Sequence, residues 1–336
     1  MIVVLITKSK ISREILSDKC IDIHTHAVGI NFTNYYLGAF PYCNNISDLV
    51  TNMQKNNIDY SVTFPVPTNI DTHSSPNIDK DIRKVIELYE KHPYFFENQR
   101  LLNETIIFGN GQILPFIMLS LYSKIDEQIE TYLKLKEKYN IYGFKINPTT
   151  DRKNISTILY NDKLKSFLEK ENLPIMIHSA SDEYSSGKSC LSLVKELKNV
   201  RFCIAHVARL DESFLTEIND LKNTWFDLSP IIKLYELLKK QNANYFINNS
   251  INSIYEFVMF FCNNFSNKVL FGTDYPWSYC GYLESNIDKE LSNIYGENVK
   301  VFQRLPINIY KKITTDNNMD CQQFIVQIKC GEIYTA

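Results

Sequence analysis

Short apolar segments alternate with longer amphipathic segments along most of the chain. Eight short segments, each of four to six residues, are predominantly apolar, as expected of strands in a parallel sheet that is covered on both faces. These predicted strands are residues 20–24, 60–64, 113–118, 143–146, 174–178, 201–205, 224–228 and 269–273. Helical periodicity appears between them at 48–57, 80–91, 125–139, 158–171, 190–197 and 285–302, with Ser47 and Asp79 as the N-caps of the first two helices.

The alternation of eight strands with helices favours an α/β fold, the (β/α)8 TIM barrel. An open doubly wound sheet is the competing architecture. That fold usually has a glycine-rich first turn of the type G-x-G-x-x-G, and the sequence contains none. We predict one domain over residues 1–336, with a barrel core at about 20–305, inserted helical segments after strands 2 and 7, and a C-terminal extension at 306–336.

The composition of the chain argues against some classes of binding partner. The chain has 36 basic and 38 acidic residues without a patch of one sign, so neither nucleic acid nor a membrane surface is expected. No apolar run approaches the roughly 20 residues that span a bilayer. The apolar residues 1–7 lack the flanks of a signal peptide, and the eight cysteines form no C-x-x-C pair. We predict a cytoplasmic protein that acts on a small molecule, and homo-oligomerisation stays open.

Four of the six histidines stand at the end of a predicted strand or just beyond it. His24 and His26 lie at the first strand, His178 at the fifth and His206 at the sixth, and Asp274 follows the eighth. In a barrel, the carboxyl ends of all strands open on one face, which is where active sites form. These five side chains are therefore predicted to converge at one mouth.

Imidazole and carboxylate groups suit a borderline divalent ion, with Zn²⁺ first and Mn²⁺ or Fe²⁺ as alternatives. Alternation along a strand would place His24 and His26 on the same side, with Thr25 towards the helices. Each residue alone is more often structural, but the convergence of all five favours about one catalytic metal ion per chain. An open coordination position would lower the pKa of bound water to about 7.

Six motifs carry a resemblance to a known family. In chain order they are Asp22-Ile-His-Thr-His26, Gly143-Phe-Lys-Ile-Asn-Pro148, Pro174-Ile-Met-Ile-His178, Ala205-His206, Trp225-Phe-Asp-Leu-Ser229 and Phe271-Gly-Thr-Asp-Tyr-Pro276. Over about residues 20–305 the pattern resembles the amidohydrolase superfamily, in particular the amidohydrolase-related branch. That branch includes aminocarboxymuconate-semialdehyde decarboxylase, resorcylate decarboxylases and pyrone dicarboxylate lactonase. One departure is Val207-Ala-Arg209, where the family often has a glycine pair.

The resemblance implies roles for the residues at the mouth. His24, His26, His178 and Asp274 would bind the metal, and Asp274 could also shuttle a proton. His206 would act as general base, or orient the attacking water, or bind a second metal.

The resemblance also draws attention to Lys145. At this position binuclear members carry a carboxylated lysine, but the most similar members generally use one metal or none, so we expect Lys145 to be unmodified. It would then offset carboxylates or hold a substrate anion. Arg209 and Trp277 are the predicted substrate contacts.

The sequence is compatible with three functions. The first is a metal-dependent hydrolase that cleaves an amide, lactone or ester bond of a small molecule. The second is a metal-dependent, non-oxidative decarboxylase of a small carboxylated, aromatic-like substrate. The third is a barrel that only binds its partner, and the intact ligand set argues against it.

Overall fold

The computed structural model describes residues 19–28, 45–66, 92–122, 124–240, 251–265 and 267–275. Its centre is an eight-stranded parallel sheet in which each strand pairs with the next one along the chain. The strands are β1 (Ile21–His26), β2 (Tyr60–Phe64), β3 (Ile113–Leu119), β4 (Gly143–Ile146), β5 (Ile175–Ile177), β6 (Phe202–Ile204), β7 (Thr224–Asp227) and β8 (Val269–Leu270).

The sheet closes where the segment after β8 meets β1. The backbone N–H of Ile23 donates to the carbonyl of Phe271 at 3.0 Å, and that of Asp274 donates to the carbonyl of His24 at 2.8 Å. With helices between its strands, this sheet confirms the predicted (β/α)8 barrel.

Helices lie in the connections between the strands. The α-helices of the described residues are α1 (Ile46–Lys55), α2 (Phe95–Phe108), α3 (Ile125–Lys138), α4 (Pro148–Asp151), α5 (Asp162–Glu171), α6 (Gly187–Glu196), α7 (Glu212–Glu217), α8 (Ile231–Lys240) and α9 (Ile254–Asn264). Shorter 3-10 segments are Ile155–Tyr160, Ala205–Leu210 and Ile218–Asp220. Within the described ranges, no helix is both long and apolar enough to cross a lipid bilayer.

The start of α1 corrects one sequence prediction. The side chain of Asn45 accepts a hydrogen bond from the N–H of Asp48 at 2.8 Å, and this bond makes Asn45 the N-cap. Ser47, the predicted cap, lies inside the helix. The predicted helix at 158–171 is also divided, because Asn161 caps α5 after the preceding 3-10 segment.

Helix α2 was not predicted, because polar residues share its buried face. Glu97 and Asn98 are buried there beside Leu101 and Leu102. The Asn98 side chain bonds to both the N–H and the carbonyl of Met118 in β3, which satisfies its amide in the core. The predicted helices at 80–91, with its cap Asp79, and at 285–302 lie outside the described residues. The insertions and the C-terminal extension therefore stay predictions.

Two apolar clusters pack on opposite sides of the sheet. The larger one fills the space between strands and helices. The smaller one fills the barrel interior and contains Ile21, Ile23, Val62, Phe64, Leu114, Phe116, Met176, Cys203, Ala205, Trp225 and Leu270. Packing is dense in this interior: a Cβ atom on Gly143 would lie 2.3 Å from the Phe116 ring. The interior is therefore filled, and the polar side chains gather at the mouth above it.

Candidate metal centre

A bulge in β1 aims its first histidine into the barrel. The register of β1 against β2 shifts between Asp22 and Thr25. Ile23 packs in the interior cluster, and the ring of His24 also lies inside, 5.0 Å from the Phe64 ring. Strict alternation would send neighbouring side chains to opposite faces, so the bulge is what allows both to point inward.

His24, His26 and Asp274 bring three candidate ligand atoms together. The Nε2 atom of His24 lies 3.2 Å from Oδ1 of Asp274, and the Nε2 atom of His26 lies 3.3 Å from the same oxygen. All three residues are buried, and their ligand atoms lie within 4.8 Å of one another. A His/Asp group that could hold a divalent metal ion is therefore present at the barrel mouth.

The hydrogen bonds behind the two rings decide which nitrogen carries the proton. Nδ1 of His24 lies 2.8 Å from Oδ2 of Asp227, and Nδ1 of His26 lies 3.1 Å from the Pro65 carbonyl. Both partners only accept, so each Nδ1 donates and each neutral ring carries its lone pair on Nε2. Two lone pairs then face one carboxylate oxygen of Asp274. Because His24 Nε2 is buried and makes no hydrogen bond to any of the described residues, the arrangement fits a cation at this point.

His24, His206 and Asp227 form a second group whose candidate ligand atoms also lie within 4.8 Å of one another. The Nδ1 atoms of its two histidines already donate, however: His206 Nδ1 lies 2.7 Å from the Ser229 carbonyl, and His24 Nδ1 donates to Asp227. A nitrogen that carries a proton has no lone pair for a metal. This group therefore supports the site through hydrogen bonds.

His178 contacts His206. Nδ1 of His178 lies 3.1 Å from Nε2 of His206, and the two ring centres are 4.9 Å apart. Since His206 Nδ1 donates to Ser229, its Nε2 must accept from His178, which leaves Nε2 of His178 as an acceptor. His178 lies outside the compact group of His24, His26 and Asp274. Its predicted ligand role and the predicted base role of His206 stay predictions.

A left-handed turn positions His206. Ala205 packs inside the barrel, so alternation would send the next side chain towards the helices. Instead, residues 206–210 all have φ between +48° and +64°, and the His206 ring returns to the mouth, 5.1 Å from that of His24. None of the five is glycine, and each left-handed residue costs about 1–2 kcal/mol. The site thus stores backbone strain in this turn.

Asp227 and Ser229 are site residues to which the sequence analysis assigned no role. Oδ1 of Asp227 accepts from the N–H of His206 at 3.1 Å, from the N–H of Ser229 at 2.9 Å and from the Ser229 hydroxyl at 2.5 Å. Burial alone would raise the pKa of Asp227, but the charge of His24 and its hydrogen bond hold that pKa at about 2. The signal was present, because Asp227 is the last residue of β7, as His26 is the last residue of β1.

Burial keeps most of the site histidines neutral. It lowers the pKa of His26 and of His206 to about 4. Burial also lowers the pKa of His24, but the carboxylates of Asp227 and Asp274 outweigh it and raise this pKa above its usual value. His24 is therefore the ring for which a proton competes most strongly with a metal ion.

Lys145 extends from β4 into the barrel and is fully buried. Its Nζ atom lies 4.4 Å from the centre of the Phe64 ring and, within the part of the chain that the structure describes, has no hydrogen-bond partner. Burial lowers the pKa of Lys145 to about 8, while the carboxylates of Asp274 and Asp227 oppose this shift. At pH 7 the group is mainly an ammonium ion beside the candidate ligands.

The two predicted substrate contacts differ in how far the structure describes them. Arg209 is half-buried in the left-handed turn, three residues beyond His206. Trp277 lies outside the described residues. Both substrate roles stay predictions.

Comparison with known proteins relates the chain to a family and to solved structures. The model of a family described as amidohydrolase matches residues 21–285. No curated protein matches the chain in sequence. Among solved structures, a probable 2-pyrone-4,6-dicarboxylic acid hydrolase from Acinetobacter baumannii is similar, with a TM-score of 0.56 and 14% identity over 91% of this chain and 99% of that one.

Two further solved structures have the same fold. The 4-oxalomesaconate hydratase of Rhodopseudomonas palustris has a TM-score of 0.54 and 14% identity, over 91% of this chain and 95% of its own. IDCase of Metarhizium anisopliae, in its apo form, has a TM-score of 0.53 and 11% identity, over 91% and 97%. At these identities the likeness concerns the fold.

The strain in the turn after β6 is testable. Ala208→Gly removes the Cβ atom from a left-handed residue, and the relief of about 1–2 kcal/mol should offset the lost burial of the methyl group and the entropy of the unfolded glycine. We therefore expect the free energy of unfolding to stay within about 1 kcal/mol of the wild type. Ala205→Gly is the matched control, because Ala205 is equally buried but precedes the left-handed run. It should lower the free energy of unfolding by about 1–2 kcal/mol more than Ala208→Gly does. Chemical denaturation measures both, and an Ala208→Gly variant destabilised as much as Ala205→Gly would mean that the turn is not strained.

Proposed function

Because the chain belongs to the amidohydrolase family of enzymes, we propose that it is a metal-dependent hydrolase that cleaves a C–N or C–O bond of a small molecule in the cytoplasm. The bond would be that of an amide, lactone or ester. One observation carries the proposal: the Nε2 atoms of His24 and His26 meet the carboxylate of Asp274 with their lone pairs directed at one point.

The proposed ligands are His24, His26 and Asp274, with His178 as the fourth. Two or three imidazole nitrogens and a carboxylate oxygen suit Zn²⁺ best, and Mn²⁺ or Fe²⁺ are the alternatives. We propose one ion per chain. When bound, such an ion supplies Lewis-acid polarisation of a carbonyl and activation of water.

His206 is the proposed general base. Its Nδ1 proton is held by the Ser229 carbonyl, so Nε2 is the atom that accepts the proton from the attacking water. In the resting arrangement this Nε2 accepts a hydrogen bond from His178, which must be released when the proton arrives. The Ser229 carbonyl keeps its bond to Nδ1 and so stabilises the resulting imidazolium. Asp274 and His206 together would return the proton to the leaving group.

Metal content tests the ligand set directly. The purified chain, reconstituted with Zn²⁺ and dialysed, should contain about one ion per chain, and Asp274→Asn should lose most of it. Asn tolerates the left-handed backbone at this position, where φ is 58°. Asp151→Asn is the control: Asp151 is also buried, but it accepts from Ser120 and Leu121. Elemental analysis that finds full occupancy in Asp274→Asn would remove this residue from the ligand set.

If His206 is the general base and not a metal ligand, its substitution should change turnover without changing metal binding. His206→Asn should keep the metal and slow kcat by roughly 10²-fold or more, as expected for loss of a general base. Elemental analysis together with steady-state kinetics measures both quantities. If occupancy fell with kcat, His206 would be a ligand instead.

Decarboxylation is the second candidate, and Lys145 is the observation that favours it. A buried ammonium group that makes no hydrogen bond among the described residues suits an anionic group of the substrate, and decarboxylases act on carboxylates. A screen of lactones and amides against carboxylated aromatic compounds would separate the reactions. Release of CO2 would assign the chain as a decarboxylase, and hydrolysis without CO2 would support our first proposal.

Lys145 is proposed to be an unmodified lysine that contacts the substrate. Lys145→Met should therefore keep the metal, while turnover falls or KM rises. Intact-protein mass spectrometry should give the unmodified mass. A mass increase equal to CO2, or loss of metal in Lys145→Met that short-chain carboxylic acids restore, would identify a carboxylated lysine ligand instead.

A further inference from the structure

We infer that Asp227 is a positioning residue which, together with Ser229, links the metal-binding histidines to the histidine that moves the proton. The inference rests on the proposed function, since it explains how that site is held in its working arrangement. Asp227 ends β7 and is fully buried. Its two carboxylate oxygens face two different parts of the site.

The Oδ2 atom of Asp227 faces His24, one of the proposed metal ligands. It accepts the Nδ1 proton of His24 at 2.8 Å, so the lone pair of this ring lies on Nε2, the atom that faces Asp274. A carboxylate behind a ligand histidine fixes its tautomer and its orientation and raises its basicity. Close packing supports the contact: a Cβ atom on Gly272 would lie 2.9 Å from Cβ of His24 and 3.4 Å from Cβ of Asp227. Only glycine leaves these two side chains in their present places.

The Oδ1 atom of Asp227 faces Ser229 and the backbone of His206, the proposed general base. It accepts the backbone N–H of His206, and it also binds the N–H and the hydroxyl of Ser229. These bonds hold the left-handed start of the turn and set the Ser229 carbonyl in front of His206 Nδ1. One carboxylate therefore fixes the tautomer of His24 directly and that of His206 through Ser229.

The two carboxylate oxygens of Asp227 accept different numbers of hydrogen bonds, and this difference makes the inference testable. Three donors converge on Oδ1 and one ring N–H points at Oδ2. In Asp227→Asn, the amide oxygen should therefore take the Oδ1 position, and the amide NH2 should face His24. An NH2 group can only donate and would oppose a proton on Nδ1 of His24, where the Ser229 hydroxyl, 3.0 Å from Nδ1, is then the remaining acceptor. We therefore expect the His24 proton to move to Nε2, where it points at Asp274 and blocks the metal.

Nitrogen-15 NMR of histidine-labelled protein reads this change without any substrate. At a pH where His24 is neutral, the metal-free wild type should carry the His24 proton on Nδ1, and Asp227→Asn should carry it on Nε2. Zn²⁺ affinity, measured by competition with a chromophoric chelator, should fall by about 10–100-fold. The Asp151→Asn control alters a buried carboxylate that, within the described part of the chain, contacts no imidazole, so its affinity should stay within about threefold of the wild type.

Two results would overturn the inference. One is an Asp227→Asn protein that keeps the proton on Nδ1 of His24 and binds Zn²⁺ like the control. The other is a wild type whose His24 proton lies on Nε2, and this measurement decides the matter even if Asp227→Asn fails to fold. If the wild type carries the predicted tautomer but binds no metal, the proposed function fails while the role of Asp227 in setting the tautomer stands.

Discussion

The candidate site depends on where the histidine rings place their Nδ1 protons. His24 gives this proton to a carboxylate, whereas His26 and His206 each give it to a backbone carbonyl. An acceptor fixed by a strand or a turn leaves the ring no choice of tautomer, so the chemistry of the opposite nitrogen follows. For His24 and His26 that nitrogen meets a carboxylate oxygen, and for His206 it becomes a basic atom beside His178. The proposed metal binding and the proposed proton transfer therefore rest on the same kind of contact.

This arrangement is held by a barrel that accepts local distortion at its mouth. The register shift in β1 and the left-handed run at 206–210 both turn side chains away from the direction that regular strands would give them. Such distortions cost free energy and persist only where surrounding contacts determine the backbone. Here the filled interior below the mouth and the carboxylate of Asp227 supply those contacts. The backbone is thus strained at the mouth of the barrel, whereas the packed strands beneath it are regular.

Much of this was accessible from the sequence. The alternation of apolar strands and helices predicted the barrel, and the rule that strand ends share one face selected His24, His26, His178, His206 and Asp274. The local distortions were not accessible, because Ile23 and His24 point to the same side only after a bulge forms. Asp227 was overlooked although it ends a strand, and α2 was hidden because its buried face carries Glu97 and Asn98. For the bulge and for α2, contacts distant in sequence override the local pattern, whereas the signal for Asp227 was local and was not used.

Anomalous diffraction from a crystal of the zinc-loaded protein, collected at the zinc absorption edge, tests the central claim most directly. The account predicts one peak per chain, about 2.0–2.2 Å from the Nε2 atoms of His24 and His26 and from a carboxylate oxygen of Asp274. A peak on the Nδ1 side of His24, beside Asp227, would contradict the tautomers on which the account depends. No peak at all would contradict the metal centre itself.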